Sequence, residues 1–355
     1  MENIIRNGYK HTHKFIYFRS FVLESKESGR KMDWLSAEKT RQRMNDYGAK
    51  GIPFLCAVNY ELTEGFVLPY PLEQKEVWWN MEGITNQLSF TTEKQGSYFR
   101  SKPMNKDCYA AKFRIARQGL LRGDSFLLNL TVTTDLDTDF TLEEIFIRSK
   151  ARYKLLVPDR FVCFSPETFV ILSDGKVSSF PMKGTIRADI PNADHIILND
   201  YKESAEHHTI VDLIRNDLNR VATDVQVERF RYIDRLVTNR GEILQVSSQV
   251  TGNLPEDYLS RLGDLIFDML PAGSISGAPK AATVRIIREA EKEDRGFYTG
   301  IFGYFDGKSF RSAVMIRFIE QQGNRLRFRS GGGITVNSDC SAEYQEVLQK
   351  VYLPC

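Results

Sequence analysis

Two Asp-Gly pairs constrain the fold of this chain more than any other feature. Asp174-Gly175 separates the runs Thr168–Leu172 and Val177–Phe180, and Asp306-Gly307 separates Phe297–Phe305 from Phe310–Ile319. The runs are rich in β-branched and aromatic residues, and Asp-Gly tolerates the positive φ of a tight hairpin turn. Strands joined so closely must pair antiparallel, because a parallel return needs a crossover of a dozen or more residues. Pro53–Tyr60, Phe126–Val132, Phe161–Phe164 and Arg325–Arg329 read as further strands.

Between them lie segments with helical spacing. Asp107–Leu121 places Tyr109, Phe113, Ala116 and Leu120 on one stripe, with Gly123 where a helix stops. Thr141 and Glu144 form a capping-box pair. A helix starts after Asp200. Others cover Glu256–Leu270, Ala281–Glu293 (with Val284 and Ile287 inward) and Ser341–Tyr352. The pattern predicts an α+β fold of antiparallel β-sheets packed together with helices on the outside. Residues 1–100 are the least regular; Phe66–Leu72 is broken by prolines, and Trp78 and Trp79 are assigned to packing. We expect one structural unit, with 1–100 a shortened N-terminal portion of the same fold and 101–355 the catalytic region.

Lys and Arg (48) almost balance Asp and Glu (46), which gives no electrostatic case for nucleic acid or an anionic membrane as partner. Met1–Phe18 lacks the apolar core of a signal peptide, and no apolar run is long enough to span a membrane. The five cysteines are widely spaced and odd in number, arguing against a disulfide framework or a zinc site and for reduced thiols in the cytoplasm. Neither GxGxxG nor GxxxxGK[ST] occurs, so nucleotide binding has no support.

Four constellations carry possible chemistry. Glu203 and Glu206 on one helix, and Glu343 and Glu346 on another, are spaced to share a helical face, and four carboxylates suit a hard cation such as Mg²⁺. The same spacing is common on solvated helices. Lys183, in FPMKGTIRAD at 180–189, follows a strand in an apolar setting where a lysine near a cation can lose its proton and act as a nucleophile; an ordinary surface lysine has the same local sequence. Glu167, in Ser165-Pro166-Glu167, sits where desolvation would keep it protonated as a general acid, or is a solvated turn glutamate. Gly331-Gly332-Gly333 after a strand and the Gly273–Lys280 segment opening a helix offer backbone amides to anions, and Arg317 can grip a carboxylate bidentately. Each of these has a plainer role as loop, cap or rim ion pair. Together they describe a pocket for a small polyanion, a magnesium ion and a lysine.

In this order the segments resemble the chorismate-utilising enzymes, the family of anthranilate, aminodeoxychorismate, isochorismate and salicylate synthases. The matching stretches are SPETF at 165–169, PMKGT at 181–185, EHHTIVDLIRNDLNRVA at 206–222 and PAGSISGAPKAATVRII at 271–287, followed by YTGIFGY at 298–304, VMIR at 314–317 and GGGITVNSDCSAEYQEVLQK at 331–350. They cover roughly residues 105–352.

The resemblance implies that Glu206 and Glu346 ligate Mg²⁺, with Glu203 and Glu343 supporting through water. Thr185, Ser276, Gly277, Tyr298, Arg317, Gly331, Gly332, Gly333 and Lys350 would bind chorismate, and Glu167 would assist departure of its 4-hydroxyl. Lys183 is similar to the lysine of the aminodeoxychorismate synthases, where anthranilate and salicylate synthases usually carry alanine. It implies a lysine attack at C2 followed by ammonia at C4, in the p-aminobenzoate branch of folate biosynthesis. Two positions depart from the family: Leu127 stands where glutamine or lysine is usual, which disfavours water activation, and Gln245 where histidine is usual, which disfavours an aromatising step. No cysteine lies in a glutaminase-like elbow, so the implied partner is a separate glutamine amidotransferase subunit. Anthranilate synthase and a non-catalytic chorismate-binding relative are the alternatives. Phe21–Ser25 has a short similarity to the tryptophan-binding stretch of anthranilate synthases.

Overall fold

The computed structural model describes residues 32–87, 98–238 and 241–353. The Phe21–Ser25 stretch therefore lies outside the described residues. Along the chain the first elements are β1 (Leu35–Ser36), α1 (Ala37–Ala49), β2 (Phe54–Val58), β3 (Glu64–Pro69), β4 (Trp78–Met81), β5 (Ile84–Thr85) and β6 (Phe99–Lys102). Next come α2 (Lys106–Leu121), β7 (Leu127–Thr138), α3 (Leu142–Arg148), β8 (Tyr153–Val157), β9 (Phe161–Ser165), β10 (Thr168–Ser173), β11 (Lys176–Ser179) and β12 (Met182–Arg187). Helices α4 (Ala193–Asn199) and α5 (Tyr201–Leu218) precede β13 (Thr223–Thr238) and β14 (Gly241–Asn253). The last part holds α6 (Leu262–Met269), β15 (Gly277–Ala278), α7 (Lys280–Glu291), β16 (Ile301–Phe305), β17 (Phe310–Val314), β18 (Phe318–Gln322), β19 (Arg325–Ile334) and α8 (Cys340–Gln349).

The strands form two antiparallel sheets. One runs β1-β3-β2-β16-β17-β10-β11-β14-β12, with β13 paired to β14; the other runs β15-β7-β19-β18-β9-β8-β4-β5, with β6 paired to β7. Strand β2 thus sits directly beside β16, more than 240 residues later, with Val58 opposite Ile301. Asp174 and Gly175 both take positive φ (53° and 73°), the geometry of the two-residue hairpin expected from their sequence, and Ser173 pairs with Lys176. At the second pair the Asp306 carboxylate instead accepts the Lys308 and Ser309 amides at 2.8 Å each, holding a longer loop.

Alternation along β2 shows how the layers arise. Phe54, Cys56 and Val58 pack with Met44, Ile210, Leu265 and Ile266 of the helices on the outer face. Leu55 and Ala57 point the other way, into a cluster with Trp79, Tyr153, Phe161, Phe302 and Phe318 between the two sheets. The far face of the second sheet is covered by α2, α7 and α8 through Tyr109, Phe113, Ile286, Ile287 and Val347. Helix layer, sheet, sheet and helix layer follow from period-two strands that are apolar on both faces. Each fully buried Phe or Leu contributes about 1.5–3 kcal/mol. Among the described residues no helix is long and apolar enough to cross a membrane.

Several elements differ from the sequence reading. Phe310–Ile319 is two strands in different sheets, β17 and β18, because the chain turns between them and Arg317 takes φ 52°. Tyr298 precedes β16 in a turn rather than lying on the strand. Gly331–Gly333 do not follow a strand; they are part of β19, opposite Thr131, Leu130 and Asn129 of β7. Residues 256–261 are not α-helical but lead into α6 through a 3₁₀ turn, Tyr258–Arg261. Helix α7 buries Ile286 and Ile287, leaving Val284 half-buried.

Candidate functional site

A cavity of about 260 Å³ opens where the two sheets and the helices α5 and α8 meet. Leu127, Asn129 and Gly331–Gly333 come to it from one sheet, Lys183 and Gln245 from the other, and Glu167 from the link between β9 and β10. Ile210 and Ile214 of α5 give it an apolar wall, and Tyr298, Arg317, Glu346 and Lys350 a polar one. Its size lies near the lower end of small-molecule sites, roughly 300–1,000 Å³.

Arg317 enters from the link where the chain passes between sheets. A non-glycine residue at positive φ is uncommon and needs surroundings that hold it there. Its guanidinium carbon lies 5.6 Å from the Tyr352 ring centroid, and its Nε is buried with no hydrogen-bond partner among the described residues. A buried donor left unmade is costly, so this one is suited to an incoming anion.

Lys183 reaches the cavity from β12. At Gly184 (φ 78°) a β-bulge shifts the register with β14, Lys183 facing Val246 and Thr185 facing Gln245. The bulge breaks the two-residue alternation. Lys183 lines the cavity, whereas Thr185 is exposed and is not among the lining residues, contrary to its expected place beside the substrate. Lys183 Nζ stands 3.4 Å from Glu206 Oε2. Lys350 Nζ, at the end of α8, is 2.7 Å from Glu346 Oε1 and donates to Gly331 O at 2.8 Å.

The four glutamates do gather at this end of the molecule. A Cβ on Gly184 would lie 3.2 Å from Glu203 Oε2, and one on Gly332 would lie 3.5 Å from Glu343 Oε2 and 3.6 Å from Glu346 Oε1. Burial and then the neighbouring Glu206 raise the pKa of Glu203. Burial raises that of Glu343 too, with Glu346 and Glu206 adding to the effect against a Ser338 hydrogen bond. For Glu346 burial is outweighed by Lys350, Lys183 and Lys202 together, and its pKa is lowered. The donor set is all carboxylate oxygen, the type for a hard cation, and the mutual repulsion is what a cation relieves. No three carboxylate, histidine or thiol side chains are close enough to enclose an ion by themselves among the described residues.

Glu167 lies in the link between β9 and β10. Burial raises its pKa, opposed by the Ser274 hydroxyl and by Lys183, Arg317 and Lys350. Ser274 Oγ donates to Glu167 Oε1 at 2.6 Å. Ser276 lines the cavity, but its hydroxyl donates to Ala272 O at 2.7 Å. Gly277 also lines the cavity, and the Gly273–Lys280 segment does not simply open a helix: a 3₁₀ turn, Gly273–Ile275, and the short strand β15 precede α7.

Three supports were not singled out from sequence. Asp217 on α5 pairs with Lys280 at 2.7 Å and accepts the Gly273 amide at 3.0 Å. Arg295 is buried against Glu291 and donates to Asn129 O and Ile275 O, the carbonyls behind the cavity wall. His207 is buried beside Glu206, its Nε2 sharing a 2.7 Å hydrogen bond with Ser248 Oγ. Asp217, Lys280 and His207 all fall inside the matched motifs, but a motif does not say which residue each side chain meets.

With this geometry, comparisons with known proteins are specific. The chain matches the family described as chorismate binding enzyme over residues 14–354. It is 45% identical, over 88% of this chain and 95% of the other, to an uncharacterized PabA-like protein of Haemophilus influenzae. It is 29% identical to aminodeoxychorismate synthase component 1 of Bacillus subtilis, over 79% of this chain and 61% of that one. Among solved structures, anthranilate synthase component I from Streptococcus pneumoniae superposes with a TM-score of 0.60 at 27% identity, over 72% of this chain and 58% of that chain. The menaquinone-specific isochorismate synthase MenF of Escherichia coli gives 0.68 at 16% identity, over 90% and 82% of the two chains, a likeness of fold. The chain thus spans under two thirds of the anthranilate synthase and aminodeoxychorismate synthase chains it matches. It belongs to the family of chorismate binding enzymes.

Proposed function

We propose that this protein is the large subunit of an aminodeoxychorismate synthase, converting chorismate and ammonia to 4-amino-4-deoxychorismate in p-aminobenzoate and folate biosynthesis in the cytoplasm. The observation that carries the reading is Lys183 lining one cavity with Glu167, Arg317, Glu346 and Lys350. A cavity with three basic side chains beside two carboxyl groups, one of them already paired with Lys350, suits a small dicarboxylate.

Arg317, with its unmade Nε bond, and Lys350 would grip the carboxylates, with Tyr298 and the β19 glycines shaping the wall. The Lys183 amine bonds to C2 of chorismate as the ring double bonds shift and the C4 hydroxyl leaves as water, taking a proton from Glu167. Ammonia then bonds to C4, the double bonds shift back and the C2–N bond to Lys183 breaks. The proton released from the added nitrogen restores Glu167, so the net change is chorismate plus ammonia to the amino product plus water. Glu206 and Glu346, supported by Glu203 and Glu343, would hold Mg²⁺. Bound there, its positive charge would occupy the carboxylate now facing Lys183 and favour the lysine's neutral form. A separate glutamine amidotransferase subunit would supply ammonia, and ammonium salts would substitute for it.

The test is product identity. Incubation with chorismate, Mg²⁺ and ammonium, followed by an aminodeoxychorismate lyase, should yield p-aminobenzoate, and a chelator should stop it. Anthranilate as the sole product would reassign the reaction. No product, even with an amidotransferase present, would leave a chorismate-binding role.

A further inference from the structure

The backbone of Glu167 is tied on both sides. Its amide donates to Ser165 Oγ at 3.1 Å, and its carbonyl accepts the Val314 amide at 3.1 Å. Only the side-chain torsions remain to be set, and among the described residues the carboxyl group makes one hydrogen bond, from the Ser274 hydroxyl to Oε1. Ser274 Oγ makes no other hydrogen bond among the described residues, so its proton is committed to the carboxyl group. The turn that carries it is anchored from beneath, since the Gly273 amide is held by Asp217 and Asp217 by Lys280. Asp217 is buried and Lys280 half-buried, and neither lines the cavity.

We propose that Ser274 is a positioning residue for the acid of the reaction: by donating to Oε1 of Glu167 it leaves Oε2 as the oxygen that carries the proton into the cavity. This rests on the reading of Glu167 as that acid. A protonated carboxyl group has one O–H, and the oxygen already accepting a hydroxyl proton is the poorer place for it. The charged groups facing Glu167 are Lys183 from β12, Arg317 from the link between sheets and Lys350 from the end of α8, all of which favour its ionised form, as the Ser274 hydroxyl does. Burial opposes them and prevails.

Loss of the hydroxyl therefore has a definite sign. In Ser274→Ala a stabiliser of the carboxylate is gone, so Glu167 holds its proton to higher pH while its orientation is lost. Infrared difference spectroscopy of the full chain, with the protonated carboxyl stretch of Glu167 assigned by its disappearance in Glu167→Gln, follows this without turnover. The stretch should titrate at higher pH in Ser274→Ala than in the wild type, and at the wild-type position in Ser274→Thr. Should Ser274→Ala fail to fold, Ser274→Cys, a weaker donor, should move it in the same direction. An unmoved titration in the alanine or cysteine variant overturns the proposal. In kinetics, kcat of Ser274→Ala should fall about tenfold or more at nearly constant KM, with the basic limb of the pH profile displaced upward. A raised KM with an unmoved limb would mean that Ser274 acts on the substrate instead. If the wild type does not turn over chorismate at all, the assigned reaction fails, and the infrared titration still decides the role of Ser274.

Discussion

Two arginines within one fold separate what holds the molecule together from what waits for a ligand. Arg295 is 1% exposed and every guanidinium nitrogen is used: Nε and Nη2 on Glu291, Nη2 also on Asn129 O, Nη1 on Ile275 O. Glu291 is completed by the Thr131 amide at 2.8 Å, and the Tyr60 ring lies under the guanidinium, 4.4 Å to its centroid. Arg317 has a buried Nε without a partner among the described residues and opens on the cavity. A satisfied buried arginine is architecture. An unsatisfied one beside a cavity marks where an anion belongs.

Breaking this contrast should give effects of different kind. Arg295→Met strands the Glu291 carboxylate in the interior and should cost about 3–5 kcal/mol of stability, read from denaturant unfolding. Arg317→Met should leave stability within about 1 kcal/mol of the wild type, yet raise KM for chorismate roughly 10- to 100-fold. Equal stability losses in the two variants would erase the distinction.

A smaller effect sharpens it with a third nitrogen-bearing side chain. His207 is buried, its Nδ1 unpartnered among the described residues, and burial, with Arg231, His208 and Lys183 adding to it, brings its pKa down to about 4. The folded state thus disfavours the imidazolium, while the unfolded chain takes up a proton near pH 6.5. His207 therefore contributes stability above pH 6.5 that is lost as pH falls toward 4, on the order of 2 kcal/mol. His207→Gln should flatten the stability profile across that window, and an unchanged slope would show that His207 does not titrate there.

Much of the scaffold was readable because its signals are local. The stripe Tyr109, Phe113, Ala116 and Leu120, the capping box of Thr141 and Glu144 and the Asp174-Gly175 turn each need only a few neighbouring residues, and the structure has them as expected. The misreadings are non-local. Phe310–Ile319 is one apolar run by propensity; only the packing of two sheets splits it and turns Arg317 into the cavity. Gly331–Gly333 have poor β-propensity, yet the long ladder with β7 holds them in a strand. Thr185 leaves the cavity because of a bulge that no spacing rule announces. At the site, the residue types were legible as motifs, while Ser274 on Glu167, Asp217 on Lys280 and Glu291 on Arg295 required coordinates.

The proposed reaction turns on the amine of Lys183, and its most direct test is the mass of the protein itself. Incubated with chorismate and Mg²⁺ but no ammonia, the wild type should gain the mass of chorismate less one water on the peptide containing Lys183. Adding ammonium should remove that mass and release 4-amino-4-deoxychorismate, and Lys183→Ala should neither form the adduct nor aminate C4. Amination at the wild-type rate in Lys183→Ala, with no adduct in the wild type, would contradict it.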